Sequence, residues 1–386
     1  MKHLSFTIDD KGIGEVLFDH SELDVNLLSS EVLLELEGTL EEIAQNSELK
    51  MVLFKSAKKG IFIAGADIKE IKGLQTRDEA LDKVRQGRRT LSLIATLKVP
   101  TLAVIDGAAL GGGFELALAC DFRLATENTK TKIGLPEVSL GVMPGFGGTV
   151  RLRDLIGLQK ALELILGSKQ LNGKKAEHLG LVDACVPSGY LGFKEQQMIL
   201  DILDDTKRQK ILSKRHVPTL LERFLPSLIF SFTEKEVLKK TKGKYPAPLE
   251  VIKHFKNIQN MGLYEALEAE TQSFADLALT KESKHLINLF FTSEALKHDK
   301  GVDNETEVLN IKRTSVFGGG TMGSGILWLF SKIDLPVRLK VRRSEQIADA
   351  LRVVNKNYMA IKKRRRLTQR EIDLKIDKIS ADTELR

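Results

Sequence analysis

Five short runs rich in Val, Ile, Leu and Phe, at residues 4–8, 13–18, 51–56, 101–106 and 121–125, read as strands. Helical stretches separate them, and 30–45 and 78–97 are the clearest by the spacing of their apolar residues. Such alternation predicts an α/β domain with parallel strands. From about residue 155 the strand signals fade, and 158–166, 195–215, 218–241 and 246–298 read as helices that close the domain with a helical layer. The polar stretch 298–310 (HDKGVDNETEVLN) reads as a linker, and a new strand begins near Ser315. Neither an internal repeat nor a low-complexity segment interrupts this pattern.

At 386 residues the chain is long enough for a sizeable core plus an appended unit. No run approaches the ~18 apolar residues of a membrane span. The opening MKHLSFTIDD alternates like a strand and lacks the apolar stretch of a signal peptide. Cys120 and Cys185 are the only cysteines and suggest neither a disulfide framework nor a metal site, so a reduced, cytoplasmic compartment is expected. The net charge of +7 arises in residues 301–386, which hold 18 Lys+Arg against 11 Asp+Glu, while residues 1–300 hold 41 of each. A charge confined to the tail gives no reason to expect nucleic acid, and its densest part, Lys362 to Arg366, reads as a solvated helix face, with a polyanion site as the alternative. The histidines at 3, 20, 178, 216, 254, 285 and 298 show no pair at metal-ligand spacing, and they read as structural or surface residues.

Three segments carry chemistry. Ile63 to Ile71 (IAGADIKEI) places Gly65 and Ala66 at a turn into a helix, where small residues admit a ligand to the backbone and an amide can donate to a substrate oxygen. Leu110 to Asp121 (LGGGFELALACD) places three glycines directly after the strand at 101–106, followed by Glu115 in an otherwise apolar helix, where a carboxylate is excluded unless partnered or used. Gly134 to Leu152 (GLPEVSLGVMPGFGGTVRL) places Glu137 in a Gly- and Pro-rich loop, the kind of segment that carries catalytic groups on a rigid scaffold. Tight turn packing is the alternative for the glycines, and a solvated loop acid is the alternative for Glu137.

Taken together, the three segments resemble the crotonase superfamily, and within it the hydratase half of the multifunctional fatty-acid-oxidation alpha subunit. GLVD at Gly180–Asp183 and EALEAETQSF at Glu265–Phe274 extend the resemblance over residues 1–300. It implies a repeated β-β-α superhelix with a helical C-terminal layer: a hydratase core over 1–190, a helical extension over 191–298 and a partial Rossmann-like segment over 311–386. It also implies an oxyanion hole made by the amides of Ala66 and Gly112, and Glu115 and Glu137 as the acid/base pair. Gly65 and Lys69 would lie near the CoA moiety, with an ordinary solvated lysine as the alternative for Lys69. In such a site two N–H donors stabilise the charge that hydration pushes onto a thioester oxygen, each worth roughly 3–4 kcal/mol. Glu115 would help take a proton from water attacking C3, and Glu137 would deliver one to C2 or move one between C4 and C2. The implied activity is enoyl-CoA hydration with 3-enoyl to 2-enoyl isomerisation. The implied partners are an acyl-CoA substrate, a thiolase β subunit and further copies of the chain, and hydration requires no cofactor.

Beyond the linker, Gly318, Gly320 and Gly323 in GGGTMGSG follow a strand and precede a helix, the context of a dinucleotide-binding turn. Together with LPVRLKV at 335–341, they resemble the start of a 3-hydroxyacyl-CoA dehydrogenase. Val341 stands where that family's ribose-binding acid is expected, with Arg342 and Arg343 after it, and Arg386 precedes the region of the family's catalytic His and Glu. NAD binding is therefore expected to be weak and dehydrogenase activity absent. An incomplete parallel sheet leaves faces and edges uncovered, so 311–386 is expected to be mobile, or held only by packing against the hydratase domain or a neighbour.

Overall fold

A computed structural model of the chain describes residues 2–213, 215, 219, 222, 224–299, 301, 309–363 and 367–384. The chain divides into two compact units, residues 1–298 and 299–386. His216, most of the expected linker, and Arg364 to Arg366 of the basic run lie outside the described residues, and Lys362 and Lys363 are exposed on a helix.

In the first unit, strands β1 (Leu4–Ile8), β2 (Ile13–Phe18), β3 (Met51–Ser56), β5 (Thr101–Ile105), β7 (Phe122–Thr126) and β9 (Ala184–Val186) form one sheet in that order. β5 and β7 are buried along their whole length, and β3 over Met51–Phe54, because both faces of a central parallel sheet are covered. The pairing of β1 with β2 corrects the expectation of a parallel sheet: this pair is antiparallel, closed by a tight turn in which Asp9 accepts the Gly12 amide. The other pairs in this sheet are parallel.

A second sheet holds three strands that the sequence did not reveal, β4 (Gly60–Ile63), β6 (Gly107–Leu110) and β8 (Lys132–Gly134), paired in parallel in that order. Each follows a strand of the larger sheet, and helices return the chain, so β3–β4, β5–β6 and β7–β8 are successive turns of the β-β-α superhelix. The expected helix 195–215 is two helices, Leu191–Leu203 and Asp205–Leu212, because Asp204 caps the second through the Lys207 amide. The expected helix 246–298 is three, Pro246–Asn257, Leu263–Ala278 and Lys281–His298. The helix Leu263–Ala278 buries Ala266, Leu267, Glu270, Thr271 and Phe274, one stripe of helical period that contains a carboxylate.

In the second unit β10 (Thr314–Phe317), β11 (Val337–Lys340) and β12 (Ile379–Asp382) form a parallel sheet in that order. The helices Thr321–Lys332, Glu345–Lys363 and Gln369–Ile376 connect or flank them. Val316, Leu327, Leu339, Val354, Tyr358 and Ile372 form a separate core, whereas Phe317, Met322, Leu329 and Ile333 are exposed. Among the described residues no helix is long and apolar enough to cross a membrane.

Candidate functional site

The three strands of the small sheet run parallel, so the turns that follow them emerge side by side at one edge. Ile63 of β4 is paired with Ala109 of β6, and Leu110 of β6 with Gly134 of β8. The three segments singled out in the sequence are therefore neighbours: Gly65–Ala66 follows β4, Gly111–Gly112 follows β6 and Pro136–Glu137 follows β8. The carboxyl ends of parallel strands are where open α/β sheets place ligands.

The three glycines serve different purposes. Gly111 has φ 51° and ψ −130°, a conformation that side chains disfavour. A Cβ at Gly113 would lie 2.2 Å from the Ile63 carbonyl oxygen, so only glycine lets the helix Gly112–Ala119 start against β4. A Cβ at Gly112 would lie 3.2 Å from the Ala66 nitrogen, which brings the two candidate oxyanion-hole residues together. Gly112 occupies the first turn of its helix, where an N–H has no acceptor within the helix and is available to a ligand.

Ala66, Gly112, Glu115 and Glu137 line one cavity of about 300 Å³, with Gly65 and an apolar wall that includes Leu28, Val84, Phe146 and Phe274. Lys69 is exposed and lies outside that lining, its amide donating to the Asp67 carboxylate that caps the helix Ile68–Gly73.

Glu115 is 2% exposed, and its Oε1 accepts hydrogen bonds from the amides of Phe146 and Gly148, both at 2.8 Å. Burial, and then the neighbouring Glu137 and Glu270 carboxyls, hold its pKa well above the usual carboxylate range despite those two donors. The Glu137 side chain reaches over the glycine turn, with Oε1 3.0 Å from where a Gly111 Cβ would stand. Both its carboxyl oxygens are buried without a hydrogen-bond partner among the described residues, and burial pushes its pKa up to about 8. The site thus offers two carboxyl groups whose pKa values burial raises, in an apolar cavity beside two backbone amides, an arrangement suited to moving protons on carbon next to a polarised carbonyl.

Sequence reasoning missed two features. Lys83, Glu70 and Ser30 form a polar cluster in the cavity wall, with Lys83 Nζ 2.8 Å from Glu70 Oε2 and 2.7 Å from Ser30 Oγ. Glu270, fully buried, accepts the amides of Gly147 at 2.5 Å and Thr149 at 2.8 Å. Its signal was available, since Glu270 falls on the apolar stripe of its helix. Among the described residues no cluster of three His, Cys, Asp or Glu side chains could hold a metal, and Cys120 and Cys185 are free thiols.

In the second unit Gly318 has φ 97°, and a Cβ at Gly323 would lie 1.9 Å from the Gly318 carbonyl oxygen, so the helix Thr321–Lys332 closes directly onto the glycine turn. Gly320 precedes that helix in open space. Val341, directly after β11, is 4% exposed and packs into the core of this unit, while Arg342 and Arg343 are exposed.

Comparison with known proteins agrees with this geometry. The profile of the Enoyl-CoA hydratase/isomerase family matches residues 9–244, and that of the 3-hydroxyacyl-CoA dehydrogenase, NAD binding domain, matches 313–386. The fatty acid oxidation complex subunit alpha of Vibrio parahaemolyticus is 35% identical over 98% of this chain, and the chain spans 54% of that relative's length. Human mitochondrial delta3-delta2-enoyl-CoA isomerase superposes with a TM-score of 0.56 at 20% identity, over 78% of this chain and 100% of its own. An enoyl-CoA hydratase from Mycobacterium avium subsp. paratuberculosis gives 0.52 at 22% identity, over 75% and 96%. These two likenesses establish the crotonase fold. Profile, fold and the convergence of the three segments on one cavity agree that the chain belongs to the enoyl-CoA hydratase/isomerase family.

Proposed function

We propose that the first unit hydrates 2-enoyl-CoA thioesters and also isomerises 3-enoyl to 2-enoyl thioesters. The observation that carries this reading is the opening of two buried carboxyls, Glu115 and Glu137, into one apolar cavity beside the Ala66 and Gly112 amides. The amides receive the thioester oxygen as it gains charge. Glu115, fixed by the Phe146 and Gly148 amides, orients the water and helps take its proton as the oxygen attacks C3. Glu137, with a pKa of about 8, is mostly protonated at neutral pH and delivers its proton to C2. The two carboxyls share a field, so the pair is best described by joint pKa values. Isomerisation needs only the amides and one carboxyl that shuttles a proton between C4 and C2, and we assign it to Glu137.

The residues of the second unit do not fit NAD: the turn at Gly318–Gly320 can take a pyrophosphate, but the buried Val341 offers the ribose hydroxyls no acceptor. Since the Vibrio relative is named as a subunit of a fatty acid oxidation complex, we assign this chain to fatty acid β-oxidation, with a thiolase-type subunit as its partner. Turnover of 2-enoyl-CoA substrates of graded length tests the reading. Conversion to 3-hydroxyacyl-CoA supports it, and failure to convert any length contradicts it.

A further inference from the structure

Five donors of a single short segment are divided between two buried carboxylates. The segment is Phe146-Gly147-Gly148-Thr149, at the start of the helix Gly148–Ile156. Glu115 takes the amides of Phe146 and Gly148, and Glu270 takes those of Gly147 and Thr149 together with the Thr149 hydroxyl. Successive amides therefore point alternately to the two acids. Glycine is required for this path. Gly147 has φ 99°, and a Cβ at Gly148 would lie 2.7 Å from Glu115 Oε1. Neither carboxylate can shift without displacing the donors of the other. Glu115 lines the cavity; Glu270 is 0% exposed and is not part of its lining.

We propose that Glu270 is a positioning residue for the proton transfers of this site, gripping Gly147 and Thr149 so that the Phe146 and Gly148 amides hold Glu115 in its working geometry. The proposal rests on the functional reading above. Three donors converge on the two carboxyl oxygens of Glu270, more than the single oxygen of a neutral amide could accept, so this side chain fixes Gly147 and Thr149 together. A charge at this position also acts on the field felt by Glu115.

The groups facing Glu270 come from every element packed around it. Burial raises the Glu270 pKa above the usual carboxylate range, opposed by the Thr149 and Gly147 donors and by Arg151 on the helix Gly148–Ile156, whose Nη1 donates to the Phe146 carbonyl oxygen at 2.6 Å. His254, on Pro246–Asn257, sits with Nε2 2.9 Å from the Thr149 hydroxyl. Burial drives His254 down to about 4, so it is neutral near pH 7, and its Nε2–H donates to the hydroxyl that in turn donates to Glu270. Arg88, on Arg77–Ala95, is paired with Glu268 and reaches Thr271 rather than Glu270. Glu115 and Glu137 complete the set, and both are pushed upward by Glu270.

The test uses the full chain and Glu270→Gln, which keeps the shape but loses the charge and one acceptor. Two quantities are read: kcat and KM for 2-enoyl-CoA per folded molecule, and the Glu115 carboxyl titration by carbon NMR of glutamate-labelled protein, assigned by its loss in Glu115→Gln. The expected result is a kcat lower by ~10²-fold, the loss a misplaced reacting group can cause, with KM little changed. The Glu115 midpoint should also move to lower pH. A purely structural role would lower the melting temperature and leave both readouts of the folded fraction unmoved. Glu270→Leu serves as a second variant, and should lose more activity than Glu270→Gln. An unmoved Glu115 midpoint in Glu270→Gln overturns the proposal, as does an unchanged kcat. If the wild-type chain fails to hydrate any enoyl-CoA while the midpoint still shifts, the functional reading fails and the link between the two acids stands.

Discussion

Gly112 gives the sharpest separation of chemistry from folding. A Cβ there would lie 3.2 Å from the Ala66 nitrogen and 3.3 Å from the Phe146 ring, tight contacts that neighbours accommodate by a few tenths of an ångström. The residue sits in the first turn of a helix, where replacing glycine by alanine favours the helix by about 1 kcal/mol, offsetting much of the crowding. Gly112→Ala should therefore fold. Its methyl nevertheless stands against the Ala66 amide, where the proposed function places the thioester oxygen, and loss of one such donor costs ~10²–10³ in kcat. Gly112→Val carries two further carbons into the same space and should abolish turnover while remaining folded. Gly113→Ala is the contrasting control, since its Cβ would meet the Ile63 carbonyl oxygen at 2.2 Å and should damage folding itself. The assay is the disappearance of the conjugated enoyl-thioester absorbance, with circular dichroism and melting temperature on the same samples. Normal turnover by a folded Gly112→Val would refute the assignment of the two amides.

Glu115→Gln should impair hydration more than isomerisation, because only hydration needs an activated water; equal losses in both assays would show that the roles are not divided. Because Glu137 is raised to about 8, activity that needs its proton should fall above that pH by up to about tenfold per unit in a pH–rate profile, and a flat alkaline limb would count against it as the acid. The same raised pKa lets the folded state bind a proton the unfolded chain releases, so the stability this group contributes is present at low pH and lost as pH rises through about 8. The melting temperature of the wild type relative to Glu137→Gln should accordingly fall across that range. Titration with NADH and NADPH should show weak binding or none; micromolar binding of either, or hydride transfer with 3-hydroxyacyl-CoA, would establish a working dinucleotide site despite Val341.

Much of the large sheet was legible because its central strands are largely buried on both faces and so read as short, mostly apolar runs. β4 and β6 were not. GIFI and GAAL are four residues each and contain glycine, and β6 is separated from β5 by Asp106 alone, so the two merge in a one-dimensional pattern. That small sheet is nevertheless what brings the three candidate segments together. Glu115 was legible because a carboxylate inside FELALA demands a use. Glu137 was legible only through the resemblance, since nothing in a Pro- and Gly-rich loop says that its carboxyl will be sealed from water. Glu270 was overlooked because EALEAETQSF holds three glutamates, although it alone of the three falls on the stripe of Ala266, Leu267 and Phe274 that the helix buries. The helix breaks at Asp204 and Gly262 are local capping events, which propensity over a long window averages away.

The most direct measurement is of Glu137→Gln with both a 2-enoyl-CoA and a 3-enoyl-CoA substrate. The substitution preserves the side chain's shape and removes the proton that both reactions are assigned to use. The account predicts that hydration and isomerisation fall together, by at least the ~10²-fold typical of general acid–base groups, in a protein that stays folded. Full isomerase activity in that variant would contradict it.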